Sequence, residues 1–169
     1  LPVATEADGD KISYALATQA ANGKATVNAD GSYSYVPNAN FHGKDTFKYS
    51  VTDGKGGSNT YTVDLTVNPV NDAPVAANAS HNLNEDTRLT GKLPAATDVD
   101  GDKVSYTLTT QATNGKATVN ADGSYSYVPN ANFHGKDAFT YSINDGKGGT
   151  NTYTVSLTIN AAPVAANAN

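Results

Sequence analysis

The segment NGKATVNADGSYSYVPNANFHGKD, from Asn22 to Asp45, occurs twice in this chain without a single change, the second time from Asn114 to Asp137. The offset is 92 residues, and when residues 1–68 are aligned with 93–160, 54 of the 68 positions are identical. A repeat of this length and period indicates a tandem architecture. The duplication therefore predicts two copies of one fold, joined in series.

Apolar and polar residues alternate along both copies of the repeat. In the first copy the alternating apolar positions are Ile12, Tyr14, Leu16, Ala25, Val27, Tyr33, Tyr35, Phe47, Tyr49, Val51, Tyr61, Val63, Leu65 and Val67. Alternation over four to eight residues is typical of β-strands that bury one face. We therefore expect nearly every tyrosine and phenylalanine to point into a thin core, where the hydroxyl of a buried tyrosine can still reach a polar partner.

Three dipeptides separate the predicted strands, namely Asn22-Gly23, Asp30-Gly31 and Asp53-Gly54. Asn, Asp and Gly tolerate positive φ angles, so each dipeptide predicts a tight hairpin turn. Several short strands with such turns, in a unit of about 90 residues, are typical of a Greek-key β-sandwich. The predicted fold is all-β, with tandem antiparallel Greek-key sandwiches of the immunoglobulin-like type.

The ends of the repeat predict the domain boundaries. They give a first repeat at 1–68, an inter-repeat linker at 69–74, a complete repeat at 75–160 and the start of a further linker or repeat at 161–169. Leu1 aligns with Leu93, so the first repeat has no counterpart of the stretch from Val75 to Lys92. We expect it to lack its opening strand region and to leave a sheet edge open. The tail of a neighbouring molecule, although shorter than that stretch, is one candidate to fill the gap.

The composition excludes several classes of function. With no cysteine, neither disulfides nor thiolate metal sites contribute to stability. The formal charge of −5 argues against nucleic-acid binding, which needs clustered lysine and arginine, and it suits cations instead. No stretch approaches the roughly 20 apolar residues that span a bilayer, so we expect no direct insertion into a membrane.

An acidic cluster at 98–102, Asp-Val-Asp-Gly-Asp, is the most suggestive local motif, and Glu-Ala-Asp-Gly-Asp at 6–10 is its copy. Carboxylates at alternate positions around a glycine turn can converge on one Ca²⁺, although six to eight oxygen ligands require other loops as well. The loop is not an EF-hand, because Thr109 stands where the bidentate glutamate belongs. A plain polar turn is the alternative interpretation.

A set of short motifs resembles bacterial cadherin-like repeats. In chain order they are Asn71-Asp72-Ala73-Pro74-Val75, Glu85-Asp86-Thr87, Thr97-Asp98-Val99-Asp100-Gly101-Asp102, Tyr125-Ser126-Tyr127-Val128-Pro129, Asn132-Phe133 and Asn144-Asp145-Gly146. The chain is similar in this respect to the tandem immunoglobulin-like, VCBS-like units of large RTX-type surface adhesins. The resemblance covers nearly the whole chain.

The resemblance implies a set of calcium ligands. Around one junction it implies Asn71, Asp72, Asp98, Asp100, Asp102 and Asp145, with Glu85 contributing at the far end of the second repeat. The equivalent residues of the first repeat are Glu6, Asp8, Asp10 and Asp53. Phe-His-Gly-Lys, at 41–44 and 133–136, stands where cadherins carry Leu-Asp-Arg-Glu, so two acidic ligands are missing. Fewer or weaker calcium ions are therefore expected.

His42 and His134 are the remaining candidates for chemistry. Asp45 and Asp137 follow them closely, so each histidine could act as a general base paired with its aspartate. No serine or cysteine nucleophile stands in a suitable setting beside either histidine. A loop histidine next to a glycine turn is the simpler interpretation, and we expect the chain not to be an enzyme.

These observations together predict extender repeats of a bacterial extracellular adhesin. Neighbouring repeats of the same chain are the expected partners, and calcium is expected to stiffen the array into a rod that serves cell adhesion or biofilm formation. Weak sites would be filled at the extracellular calcium concentration. The alternative is a carbohydrate-binding surface module that uses aromatic side chains such as Tyr33 and Tyr35 at a sheet edge.

Overall fold

The computed structural model describes residues 1–161, which form two compact units: unit 1 comprises Leu1–Val70, and unit 2 begins at Asn71. Every regular element of these residues is a β-strand, as the alternation predicts. Among them there is no helix with the length and apolar character needed to cross a bilayer. The predicted segment 161–169 lies, apart from Ala161, outside the described residues.

Unit 1 has five strands in two antiparallel sheets. The strands are β1 (Ser13–Thr18), β2 (Gly23–Val27), β3 (Tyr33–Pro37), β4 (Gly43–Thr52) and β5 (Ser58–Val67). One sheet has the order β1-β4-β5, and the other pairs β2 with β3. Within the described residues, β3 and β5 therefore each have one edge with no strand partner.

Unit 2 has seven strands. They are β6 (Ala79–Asn84), β7 (Leu89–Lys92), β8 (Ser105–Thr110), β9 (Gly115–Val119), β10 (Ser124–Pro129), β11 (Gly135–Asn144) and β12 (Thr150–Asn160). The sheets have the orders β6-β12-β11-β8 and β7-β10-β9. These are the two sheets of an immunoglobulin-type sandwich, with the opening strand beside the last one.

The predicted all-β sandwich is thus confirmed, with one addition. β6 runs parallel to β12, whereas the other strand pairs are antiparallel. Side chains alternate between the two faces in either kind of pairing, so alternation in the sequence does not indicate this parallel pair. The repeat equates β1–β5 with β8–β12, and β6 and β7 have no counterpart in unit 1.

The core of unit 2 is rich in tyrosine, and its buried hydroxyls are paired. Tyr127 and Tyr141 are both fully buried. The Tyr141 hydroxyl donates to the Ala77 carbonyl at 2.7 Å. Burial, together with the neighbouring Tyr106 and Tyr153, raises the pKa of Tyr141 to about 12, so its hydroxyl stays a donor over the physiological range.

The core of unit 1 is smaller, and two of its tyrosines are only partly covered although their rings pack on core residues, Tyr33 on Phe47 and Tyr61 on Tyr49. Its fully packed cluster comprises only Ala20, Ala25 and Phe47. Tyr33 and Tyr61 are 46% and 49% exposed. Among the described residues, no strand equivalent to β6 or β7 packs beside them.

The hairpin predicted at Asn22-Gly23 is wrong. Gly23 opens β2, and the preceding strand β1 belongs to the other sheet. A Cβ at Gly23 would lie 2.5 Å from the ring of Tyr35, so glycine is needed for this close approach. The dipeptides Asp30-Gly31 and Asp53-Gly54 do form the hairpins between β2 and β3 and between β4 and β5, with positive φ angles at their glycines.

A buried aspartate joins the two sheets of each unit. Asp137 on β11, 9% exposed, accepts a hydrogen bond from the hydroxyl of Tyr127 on β10 at 2.8 Å. Its backbone donors are Thr113, Asn114 and Ala138, at 2.9 to 3.1 Å. Asp45 makes the equivalent contacts with Tyr35 and the backbone in unit 1. Four donors on one carboxylate satisfy a charge that would otherwise be costly to bury.

The Asp45 carboxylate predicts how unit 1 responds to acid. Burial alone would raise the pKa of Asp45, but hydrogen bonds from Tyr35 and from backbone N–H groups outweigh it and hold the pKa below its usual range. Stability from such a group is present above the unfolded pKa of about 3.9 and is lost as the pH falls through the folded value. We expect unit 1 to lose stability below about pH 4.

Asp45→Asn is expected to make the stability of unit 1 less dependent on pH in this range, because the side chain no longer titrates. Hydrogen exchange of β5 between pH 5 and pH 2 measures it, since the sequence of β5 differs from that of β12. Equal losses in the parent and the variant would contradict the assignment.

Candidate metal centre

The acidic loop 98–102 lies beside the start of unit 2. Val75 and Thr97 exchange two backbone hydrogen bonds of 2.8 Å, which hold the first residues of the unit against this loop. Gly101, at φ 78°, makes the turn that the Asp-Gly-Asp sequence predicts. The sequence therefore brings the loop and the linker together through a short antiparallel bridge.

The carboxylate of Asp98 organises the loop. Its Oδ1 accepts hydrogen bonds from the N–H groups of Asp100 (2.9 Å) and Asp102 (3.1 Å). This contact draws the three side chains inward, so that one oxygen from each lies within 4.8 Å of the others. In the part of the chain that the structure describes, no other three potential ligands converge in this way.

Two oxygens of this cluster have no protein partner. The Oδ2 atoms of Asp98 and Asp102 are buried and receive no hydrogen bond. A buried acceptor without a donor is unfavourable, and more so when it carries charge and has like charges as neighbours. Carboxylate oxygens are the ligands that hard divalent cations prefer, so these residues fit a calcium ion.

Lys147 supplies the nearest positive charge. Its Nζ lies 2.7 Å from Oδ1 of Asp102. That hydrogen bond and the surrounding carboxylates raise the pKa of Lys147, so the ammonium stays charged. Nothing in the sequence links this lysine to the acidic loop, because it lies 45 positions after Asp102 and only the fold brings the two together.

Asp145 is the most buried carboxylate near the loop, at 5% exposure. It accepts a hydrogen bond from Nδ2 of Asn71 at 2.7 Å and others from the backbone N–H groups of Lys147 and Gly149. The Asn71 contact is the main cause that lowers the pKa of Asp145. Asp145 therefore anchors the linker and the β11–β12 turn in ionised form.

Asp72 completes the network through its backbone. Its N–H donates to Oδ2 of Asp100 at 2.8 Å, while its side chain lies outside the convergent group of three. The structure thus links all six residues predicted for one junction within unit 2, with Asp98, Asp100 and Asp102 at the centre.

Family models match both units. Residues 71–161, more than half of the chain, match the bacterial cadherin-like domain. The chain belongs to the bacterial cadherin-like family. Residues 1–66 match the bacterial Ig domain, so the two units of the cadherin-like chain are tandem modules of related type. Such domains are typically extracellular and are generally non-catalytic. No curated protein matches the chain.

Solved structures similar to the cadherin-like chain include an endo-fucoidan hydrolase of glycoside hydrolase family 107, a protocadherin gammaB7 EC3-6 cis-dimer and mouse cadherin-23 EC22-24. Their identities are 21%, 18% and 15%, with TM-scores of 0.43, 0.49 and 0.48. The matches cover 92%, 89% and 90% of this chain but only 24%, 41% and 56% of those proteins.

Glu85 lies at the other end of the cadherin-like sandwich. It follows β6, where its N–H donates to the carbonyl of Asn160 at the end of β12, whereas Asp145 precedes the start of β12. An oxygen of Glu85 lies 3.9 Å from Nδ1 of His134. His134 therefore pairs with Glu85 rather than with Asp137, whose carboxylate is occupied by Tyr127.

The equivalent loop of unit 1 has a different geometry. Oε2 of Glu6 accepts the N–H groups of Asp8 (2.6 Å) and Asp10 (3.1 Å), as Asp98 does in unit 2. Lys55 lies 3.7 Å from Asp10, and Asp53 accepts hydrogen bonds from the backbone of its own turn. Glutamate has one methylene more than aspartate, and the carboxylates of this loop do not converge like those of 98–102.

Proposed function

We propose that unit 2 binds one calcium ion through Asp98, Asp100 and Asp102. The observation that carries the proposal is the pair of buried carboxylate oxygens, on Asp98 and Asp102, that have no hydrogen-bond donor. Asp72 is hydrogen-bonded to Asp100, and the adjacent Asn71 to Asp145; with water, these residues would supply the further oxygen ligands that calcium requires. When bound, the ion neutralises the acidic loop and fixes the linker to it.

We further propose that the chain serves as a spacer in a bacterial extracellular array. Asn71 and Asp72 follow directly after the last residue of unit 1, so an ion that orders them restricts the hinge between successive repeats. Repeat arrays derive their mechanics from such nearest-neighbour connections. An adhesin of the RTX type on the cell surface, active in adhesion or biofilm formation, is the setting in which a stiff spacer is useful.

Small-angle scattering with calcium and with a chelator tests the spacer proposal. We expect the maximum dimension to be better defined with calcium and to become broadly distributed without it. Calorimetric titration on the same sample measures binding separately. Binding without a change in dimensions would reject the stiffening, and the absence of binding would reject the calcium site as well.

Lys147→Gln is expected to raise the calcium affinity of unit 2 by about tenfold. Its ammonium occupies an oxygen of Asp102 and would repel an incoming divalent ion. Calcium titration of the variant measures the change, with Lys55→Gln in unit 1 as the matched control. An unchanged or weakened affinity would show that Lys147 does not compete with the ion.

A carbohydrate-binding role is the second candidate, and the exposed rings of Tyr33 and Tyr61 are its support. A cavity of about 650 Å³ in unit 2 gives less support to carbohydrate binding, because none of its lining residues is aromatic. Its lining residues are Thr113, Asn114, Lys136, Asp137, Ala138, Ser156, Leu157 and Thr158. Affinity electrophoresis in polysaccharide gels separates the two functions, since a spacer migrates without retardation.

A further inference from the structure

The outer face of the four-stranded sheet in unit 2 carries a groove that the calcium cluster does not use. Ala138 on β11 and Ser156 on β12, two small exposed side chains, lie directly opposite each other. Lys136 and Thr158 form the next pair on this face, and residues 113–114, from the connection between β8 and β9, lie beside them. These residues line the cavity of about 650 Å³, a volume typical of small-ligand sites.

The charges on this face differ between the two units. The position of Ser156 is taken in unit 1 by Asp64, which lies diagonally across from Lys44 and Lys48 on β4. Long side chains reach each other at that spacing, so the carboxylate of Asp64 offsets the ammonium charges beside it. In unit 2 serine replaces this aspartate, so Lys136, the equivalent of Lys44, has no carboxylate diagonally across from it.

Lys136 gives the groove its positive charge. It is exposed and, within residues 1–161, forms no ion pair. Asp137 also lines the groove, but its carboxylate is held by Tyr127 and by three backbone N–H groups. The groove therefore presents an uncompensated ammonium group on a chain with a formal charge of −5. Such a group favours a ligand that carries a negative charge.

The other polar side chains of the groove suit a ligand with hydroxyl groups. The hydroxyls of Thr113, Ser156 and Thr158 and the amide of Asn114 both donate and accept hydrogen bonds. Within the described part of the chain, none of these four side chains has a hydrogen-bond partner. They are therefore available to a ligand that offers donors and acceptors together.

The floor of the groove does not suit a polypeptide or a neutral sugar. At Ser156 and Thr158, β12 is paired with β11 on one side and with β6 on the other, so a peptide finds no free edge of β12 along which to add as a strand. None of the lining residues is aromatic, so a neutral sugar has no ring on which to stack. The ligand that fits is small, rich in hydroxyl groups and anionic.

We propose that this groove binds a uronic acid unit of an acidic polysaccharide. The carboxylate of the sugar pairs with the Lys136 ammonium, and the ring hydroxyls exchange hydrogen bonds with Ser156 and Asn114. The site is separate from the calcium cluster. The proposal rests on the carbohydrate-binding candidate rather than on the spacer function, and it gives that candidate a ligand class and a location in unit 2.

Titration of the isotope-labelled chain with trigalacturonate, followed by NMR, tests the proposal. The buffer is free of calcium, because that ion would bridge the sugar carboxylates to the acidic loop 98–102. We expect saturable shifts at residues 113–114, 136–138 and 156–158. The methyl ester of the same trisaccharide, which is uncharged, and triglutamate, which has no sugar hydroxyls, are each expected to bind at least about tenfold more weakly.

Three outcomes of this titration would overturn the groove. Equal binding of the methyl ester or of triglutamate would show that charge and hydroxyl groups together do not define the ligand. Shifts confined to Tyr33 and Tyr61 would reject this site but keep carbohydrate binding, at unit 1. The absence of shifts in both units would reject the site and the carbohydrate-binding candidate together.

A set of variants locates the sugar carboxylate. Lys136→Gln is expected to weaken trigalacturonate binding by about tenfold, because it removes the cationic partner of the carboxylate. Ser156→Asp, which restores the acid found in unit 1, is expected to weaken it by a similar factor. Both positions are exposed, so neither change is expected to alter the fold. Lys44→Gln, at the equivalent position of unit 1, is the matched control and is expected to bind as the parent does. An unchanged affinity of the Lys136 variant, or an equal loss in the Lys44 variant, would contradict the proposal.

Discussion

Asp98→Asn is expected to weaken calcium binding to unit 2 by ten- to a hundredfold. Calcium affinity in oxygen sites depends on the number of charged ligands, and Asp98 supplies a buried oxygen without a protein partner. The same substitution is expected to leave the calcium-free unit as stable as before or slightly more stable, because it removes one of three crowded negative charges. The two effects have opposite signs, which distinguishes loss of a ligand from misfolding.

Thermal unfolding with calcium and with a chelator measures both effects. Calcium that binds only the folded state raises the stability by an amount that grows with the ratio of its concentration to Kd. The parent is therefore expected to gain more from calcium than the variant does. Glu6→Gln is the matched control in unit 1, whose carboxylates do not converge. An equal calcium-dependent gain for the parent and the Asp98 variant would contradict the assignment.

Local patterns in the sequence predicted the strands and the turn that brings the three aspartates of the candidate site together. Residues 98–102 contain both the glycine that turns the chain and the three aspartates whose carboxylates come together. The geometry of this loop therefore depends mainly on these five residues. The period of two along β11 and β12 likewise predicted which side chains enter the core. These features follow from neighbours along the chain.

Features that depend on distant residues were not predicted. The position of Lys147 over Asp102 requires the β11–β12 turn to meet the acidic loop, and nothing near either residue indicates this. The same holds for Asp137, which the sequence suggested as a partner of His134. In the fold it is enclosed by Tyr127 and three backbone N–H groups, because Gly115 lets the tyrosine ring approach the backbone closely.

Burial was the least predictable property, because identical segments have different environments. No pattern within Asn22–Asp45 distinguishes it from Asn114–Asp137, so any method that reads the segment alone assigns both the same core. The difference arises from β6 and β7, which lie outside the duplicated segment and cover only one copy. The same side chain must therefore contribute differently to the free energy of unfolding in the two units, and this difference can be measured.

Leu157→Ala is expected to destabilise unit 2 by about 3–5 kcal/mol, whereas Leu65→Ala, at the equivalent position, is expected to cost unit 1 only about 1–2 kcal/mol. Leu157 is 2% exposed and is enclosed by both sheets, so its removal leaves a cavity. Leu65 is half-buried, and water can occupy the space that its side chain vacates. The same chemical change in the same sequence context thus isolates the contribution of the covering strands.

Hydrogen exchange of β5 and β12, whose sequences differ, reports the two free energies separately in one chain. Equal costs would mean that the side chains around Leu65 are covered in solution. Unequal costs would show that β6 and β7 account for the difference in core packing between the two units.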